Sequence, residues 1–365
     1  MSTKLSWLQE SGKTETVILV TAMGVLSLLG LLFIFEASIA EALNTFNDQY
    51  HFVKLQGGWL GLGLVGVVVV TLLPRNWWWT VAPWLYGAGL VVMGLVFVPG
   101  LGVELNGARR WLSIGGLAVL QPVELLKLTM ILFFGRWMAE HQRLAPLVFL
   151  TGMPVLLLLL QPDLGSALVV LVISAGMYFS AGGNTRALAT LAVIGAVLVS
   201  GAVLSSSYRL ERVMTFLNPS RDPQGASFHI RQITIALGRG GLFGQGIGNS
   251  QQRFAYIPET STDSIFAITA EEIGFAGSVV IISLYSAYLW AGYALVNKVS
   301  DHFARLVSIG VLIWIGSQTW LNLAAVVALV PLTGIPLPFF SYGGSSLVMV
   351  LLATGILLNM TRART

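Results

Sequence analysis

The sequence predicts an all-α polytopic membrane protein with ten transmembrane helices and one long extracytoplasmic loop between the seventh and eighth. Three observations predict it. Of 365 residues, 55% are hydrophobic and 10% charged, with mean hydropathy +0.80, whereas soluble chains carry roughly a quarter charged residues. Apolar runs close to the ~20 residues that a bilayer core demands recur along the chain. One stretch, 205–272, interrupts them and gathers twelve charged residues, six Arg against six acids. This composition excludes a disordered chain and a nucleic-acid binder. With 0 cysteines there is no disulfide scaffold, thiolate metal site or cysteine nucleophile. The net charge of +4 is read as orientation in a membrane.

Spans are expected near 17–39, 52–73, 81–98, 120–138, 144–160, 165–181, 187–204, 273–296, 303–328 and 343–360, all in one membrane domain over 1–365. The first is followed by Ala40-Glu41-Ala42, which mimics a signal-cleavage site. Its apolar run is too long for a signal-peptide core, so it is expected to be retained. An even number of spans puts both termini on one side. On that side fall Lys4, Lys13, Arg75, Arg136, Arg143, Arg186, Lys298, Arg305, Arg362 and Arg364, whereas the short opposite loops hold Lys54, Arg109 and Arg110. The bias makes both termini cytoplasmic. Trp77, Trp78, Trp79 and Trp84 flank the turn between spans two and three, where amphipathic rings favour the headgroup level.

The 205–272 loop is where chemistry is expected, because long loops in compact proteins are usually functional. Phe228, Ile230, Ile233, Ile235 and Leu237 suggest a short helix lying in or against the membrane. Residues 238–248 contain six glycines in eleven but match neither nucleotide-binding fingerprint. They suit either an anion-binding concavity beside Arg239 or a turn that needs glycine for close packing. Glu271 and Glu272 sit where span eight begins, and acids at a helix N-terminus have a dipole explanation.

Ionisable residues within spans are costly and therefore candidates for function. Glu124 and Lys127, three apart, share a helix face and can pair. The pair either makes its own burial tolerable or takes part in a central cavity. Asp163, in Gln161-Pro162-Asp163-Leu164-Gly165, is a helix N-cap or a cavity acid. Before the last span, Gly334 to Ser346 holds Pro336 and Pro338 at alternate positions, which cannot continue a helix. Non-helical backbone at membrane depth must be buried in protein or line a cavity. Ser341 and Tyr342 are thus candidate cavity residues, the alternative being an ordinary outer loop.

Taken together, Asn106-Gly-Ala-Arg-Arg-Trp-Leu112, Gln121-Pro-x-Glu-Leu-x-Lys127, Gln161-Pro-Asp-Leu-Gly-Ser166, Pro258-Glu-x-x-Thr-Asp-x-Ile-Phe-Ala267 with Glu271-Glu-Ile-Gly274, and Gly334-Ile-Pro-Leu-Pro-Phe-Phe-Ser-Tyr-Gly-Gly-Ser-Ser346 resemble the FtsW/RodA/SpoVE (SEDS) family from the first span to the last. The closing Gly355-Ile-Leu-Leu-Asn359 and the lack of an extra domain are more similar to its division branch, FtsW, than to its elongation branch, RodA. Val123, Ser261 and Ser264 depart from the residues common in the family, which touches fine positioning and spares the acid.

The resemblance implies a glycosyltransferase of the bacterial cytoplasmic membrane that polymerises lipid II into glycan strands at the outer face, during septal synthesis. It implies a class B penicillin-binding protein as transpeptidase, divisome proteins as partners, and no nucleic acid. By its residues alone Asp263 could be a plain N-cap, but the resemblance places it on the family's essential acid, the catalytic carboxylate. Glu259, in the same motif, could be a cap or a second acid. A carboxylate that takes the acceptor's proton and cations that stabilise the departing diphosphate would suffice for the reaction. Arg109, Arg110, Arg209 and Arg212 are the diphosphate candidates. A divalent cation such as Mg could assist, though no ligand cluster in the sequence demands one. The rivals are a lipid II flippase or transporter, an elongation-type polymerase, and a non-catalytic division scaffold.

Overall fold

The computed structural model describes residues 12–105, 108–114, 118–204, 207–218, 228–250 and 262–362. Helices dominate: α1 (Lys13–Phe46), α2 (His51–Leu72), α3 (Arg75–Gly94), α4 (Pro122–Glu140), α5 (Leu144–Leu160), α6 (Leu164–Ser180), α7 (Thr185–Leu204), α8 (Ser207–Leu217), α9 (Phe228–Gly240), α10 (Ile265–Val296), α11 (His302–Val326) and α12 (Gly344–Thr361). Of these, α1, α2, α3 with the turn that follows it, α10, α11 and α12 are long and apolar enough to cross a membrane. α5, α6 and the start of α7 are shorter apolar helices.

Local chemistry sets many of the boundaries. Pro122 opens α4, where a missing N–H costs nothing. Asp301 caps α11 by accepting the Ala304 N–H at 2.7 Å. α1 runs on to Phe46 and stops at Asn47, whose φ of 54° is the left-handed conformation that ends many helices.

Two expectations need correction. The fold is not all-α, because the stretch after α3 forms an antiparallel sheet of β1 (Gly102–Leu105), β2 (Ala108–Ile114) and β3 (Ala118–Leu120), in the order β1-β2-β3. These strands are too short and polar to register as spans, and their pairing is what stabilises them. Second, the helix expected from 273 begins at Ile265 and runs through a kink at Gly274, with φ 68° and ψ −170°. Glu271 and Glu272 therefore do not open a helix. They lie just before the kink, each about 1% exposed.

The glycine run explains the kink. Gln245 and Gly246 donate backbone N–H groups to the carbonyls of Glu271 and Glu272, both at 3.0 Å, and Phe275 and Ala276 donate to those of Gly241 and Leu242. A Cβ on Gly274 would lie 2.2 Å from the Gly244 nitrogen. The run is a close-packing turn, and much of its backbone is spent on α10 instead of an anion.

Inside the bundle α2 packs on α12, α1 on α10, α3 on α4, and α11 on both α4 and α6. The predicted helix from Phe228 is α9, which buries Ile230, Ile233 and Ala236 and packs on α10. Between α11 and α12 the chain is non-helical, and from Ile335 on it is largely enclosed: Ile335, Leu337, Phe339 and Phe340 are all buried. α1 approaches it so closely that a Cβ on Gly30 would sit 2.7 Å from the Phe340 Cα.

Candidate functional site

α4 enters the core with Glu124 and Lys127 on one face. Both are about 1% exposed or less, and Lys127 Nζ donates to Glu124 Oε1 at 2.7 Å. The lysine has a second acceptor in α11, Gln318 Oε1, also at 2.7 Å. It stands 4.9 Å from the centroid of the Trp314 ring, a cation–π distance, and Trp314 Nε1 donates to the same Gln318 oxygen at 2.8 Å. Glu124 Oε2 is buried without a hydrogen-bond partner among the described residues.

Gln318 then turns its amide nitrogen to the Pro336 carbonyl, at 2.9 Å. One turn further along α11, Asn322 Nδ2 donates to the Ile335 carbonyl at 2.8 Å and to the backbone carbonyl of Asp263 at 2.9 Å. Buried backbone carbonyls that lack a helix must find such donors, and the enclosed segment finds more. Tyr285 donates its hydroxyl to the Pro338 carbonyl at 2.5 Å. Gln56 of α2 donates to the Ser341 carbonyl and accepts the Gly343 N–H, both at 3.2 Å. Ser341 Oγ accepts the Leu337 N–H at 2.8 Å, and Tyr342 packs edge-on against Phe52. From Ile335 to Ser346 the segment is buried or half-buried and is held by side chains of α2, α10 and α11.

Asp263 lies in the turn just before α10, half-buried. It does not cap the helix: the N-cap position is Ser264, and no side chain caps it there. Its carboxylate faces the wall that the 334–346 segment forms, since a Cβ on Gly334 would lie 3.9 Å from Asp263 Oδ2. The Thr262 and Ser264 hydroxyls are 3.4 and 3.5 Å from Oδ1. His229 of α9 reaches the Ser264 hydroxyl at 2.8 Å.

The remaining candidates divide. Asp163 is the N-cap of α6, accepting the Ser166 N–H at 3.0 Å and the Ser166 hydroxyl at 2.8 Å. It is also close enough to Lys127 to act on it electrostatically. Arg110 gives its guanidinium to the carbonyls of Gln161 and Pro162, at 3.2 and 2.5 Å, so β2 pins the turn that carries Asp163. Arg109 is exposed and paired with Glu104 across the β1–β2 ladder at 3.2 Å. Arg209 and Arg212 belong to α8, but their side chains lie outside what is described, and Glu259 lies outside the described residues altogether.

Sequence reasoning missed Trp314, Gln318 and Asn322. Their signal was available: an amphipathic ring and two amides recur every fourth residue along an otherwise apolar helix, which places them on one face.

These features define a multi-pass helical membrane protein with a polar seam running from a buried ion pair to a half-buried acid. The chain belongs to the FtsW/RodA/SpoVE family, whose model, described as cell cycle protein, matches residues 16–365. It is 37% identical over 359 residues to the stage V sporulation protein E of Bacillus subtilis (strain 168), covering 96% of this chain and 98% of that protein. It is 34% identical to a probable peptidoglycan glycosyltransferase FtsW of Geobacter sp. (strain M18), covering 96% and 97%. A solved structure concerned with coordination of polymerization and crosslinking by a peptidoglycan synthase complex contains a similar chain, with TM-score 0.78 and 33% identity, covering 94% and 96%.

Proposed function

We propose that the protein is a peptidoglycan glycosyltransferase that polymerises lipid II at the outer face of the bacterial cytoplasmic membrane, in septal wall synthesis. Asp263 is its catalytic carboxylate. The observation that carries this reading is the position of Asp263: half-buried, not used as a helix cap, and set against the 334–346 wall. A partly desolvated carboxylate is a better base. Asp263 takes the proton of the acceptor's saccharide hydroxyl as that oxygen bonds to the anomeric carbon of the donor, and the anomeric bond to the lipid diphosphate breaks.

The diphosphate leaves with its electron pair and needs cations nearby. Arg109, Arg209 and Arg212 are the proposed donors. Arg110 joins them less directly, having committed two contacts to the Gln161–Pro162 turn. A divalent cation such as Mg would share that charge.

Ten spans, one membrane domain, and a loop from the end of α7 to the kink of α10 on the outer side complete the reading, with both termini cytoplasmic as the Lys/Arg bias indicates. The likeness to a chain of a synthase complex supports a transpeptidase partner of the class B penicillin-binding type, and the FtsW relatives support work alongside divisome proteins. The test is polymerisation of labelled lipid II by purified protein and by Asp263→Asn. Wild type should give glycan polymer, and the variant should lose on the order of 10²-fold or more in rate while remaining folded. Movement of label across liposomes without polymer would instead mean a flippase, and neither would mean a scaffold.

A further inference from the structure

We propose that Asn322 is a positioning residue for the Asp263 carboxylate, tying the backbone of the acid's own turn to the 334–346 wall. The inference rests on the reading of Asp263 as the catalytic base. One amide nitrogen bonds two carbonyls, that of Asp263 at 2.9 Å and that of Ile335 at 2.8 Å. Both partners are acceptors, so the amide orientation is dictated: the NH2 group must face them. Asn322 is 2% exposed, and its Oδ1 is buried with no hydrogen-bond partner among the described residues. A buried amide with an unsatisfied oxygen is a poor space-filler. Its value lies in the two bonds its nitrogen makes.

The geometry suits positioning. Asp263 sits in a turn, where backbone is less constrained than in a helix, and Asn322 bonds that backbone directly at the acid's own carbonyl. Asn322 stands on α11, a rigid helix. One turn back on the same face, Gln318 grips the adjacent Pro336 carbonyl and the Lys127 ammonium. Two consecutive carbonyls of the wall are thus registered on one helix face, and the turn bearing the acid is registered on the same face through the same nitrogen. Sites held by helices with locked side chains keep sub-ångström geometry better than sites held by loops, and a misplacement of about 1 Å can cost on the order of a hundredfold in rate.

The experiment compares full-length purified wild type, Asn322→Leu and Asp263→Asn in lipid II polymerisation, with kcat and KM separated. Melting temperature and amide hydrogen exchange of the 262–267 region are read alongside. Asn322→Leu should lower kcat by about tenfold to a hundredfold, leave KM within about threefold, and speed exchange at 262–267 in protein that remains folded. A kcat within about threefold of wild type, while Asp263→Asn is inactive, overturns the role of Asn322 and leaves that of Asp263 standing. A rise in KM at unchanged kcat, or a loss that merely tracks the unfolded fraction, overturns it as well. Near-wild-type activity of Asp263→Asn overturns the reading beneath it, whatever Asn322→Leu does. Should Asn322→Leu not fold, Asn322→Ser replaces it: one hydroxyl donor cannot span two carbonyls, so the same fall in kcat is expected, and wild-type kcat overturns the proposal.

Discussion

Lys127 and Gln318, on different helices and 191 residues apart, meet at 2.7 Å with both side chains fully buried. The lysine thereby has Glu124 to balance its charge and Gln318 to satisfy a further N–H, which makes its burial tolerable.

Breaking the pair should therefore be worse than removing it. Lys127→Met leaves the Glu124 carboxylate uncompensated at about 1% exposure and is expected to destabilise the protein by about 3–5 kcal/mol. The double variant Lys127→Met with Glu124→Gln removes both charges and should recover more than half of that. Thermal or denaturant unfolding in detergent of the two singles and the double closes the cycle. Strictly additive losses would show that the two charges do not depend on one another.

Asp163 gives a prediction that separates capping from charge. Asp163→Ala forfeits the bonds to Ser166 and should lose about 0.5–2 kcal/mol. Asp163→Asn caps nearly as well and should melt within a degree or two of wild type, given that about 1 kcal/mol shifts a domain of this size by a few degrees. If the two variants melt alike, the cap is not what Asp163 contributes.

Gly274 tests the kink. Its φ of 68° with ψ of −170° belongs to a region essentially confined to glycine, where another residue carries about 1–3 kcal/mol of strain. A Cβ there would also meet the backbone of Leu242, Phe243 and Gly244 within 2.8 Å. Gly274→Ala is expected to lose at least about 2 kcal/mol and to expose the 238–248 turn to protease. Gly87→Ala, in α3 with open space around it, is the control. It should leave stability unchanged or raise it by up to about 1 kcal/mol. Equal behaviour of the two would mean that the kink is not strained.

Much was legible because it is local. Apolar run length set the class of protein, and helix positions held to within a few residues wherever a proline or a capping side chain acts on its own neighbours, as at Pro122, Asp163 and Asp301. The pairing of Glu124 with Lys127 was readable for the same reason: residues three apart on a helix are adjacent whatever surrounds them. The non-helical wall was readable from Pro336 and Pro338, because two prolines at alternate positions remove two N–H donors and crowd the preceding turn, which a continuing helix interior does not tolerate.

What the tertiary structure decided is where non-local partners are. The β1–β2–β3 sheet exists through pairing between strands that have no strong signal singly. α10 starts early and kinks because the 238–248 turn hydrogen-bonds across Gly274. Arg110 stabilises the turn before Asp163 because the sheet delivers it to two carbonyls about 50 residues away in sequence. Gln318 and Asn322 look like incidental amides in an apolar helix until the carbonyls of Pro336, Ile335 and Asp263 are brought to them. A backbone carbonyl carries no side-chain identity, so nothing in the order of residues marks which one an amide will find. Chain folding alone selects the partner, since a carbonyl outside a helix and away from water must be met by some donor.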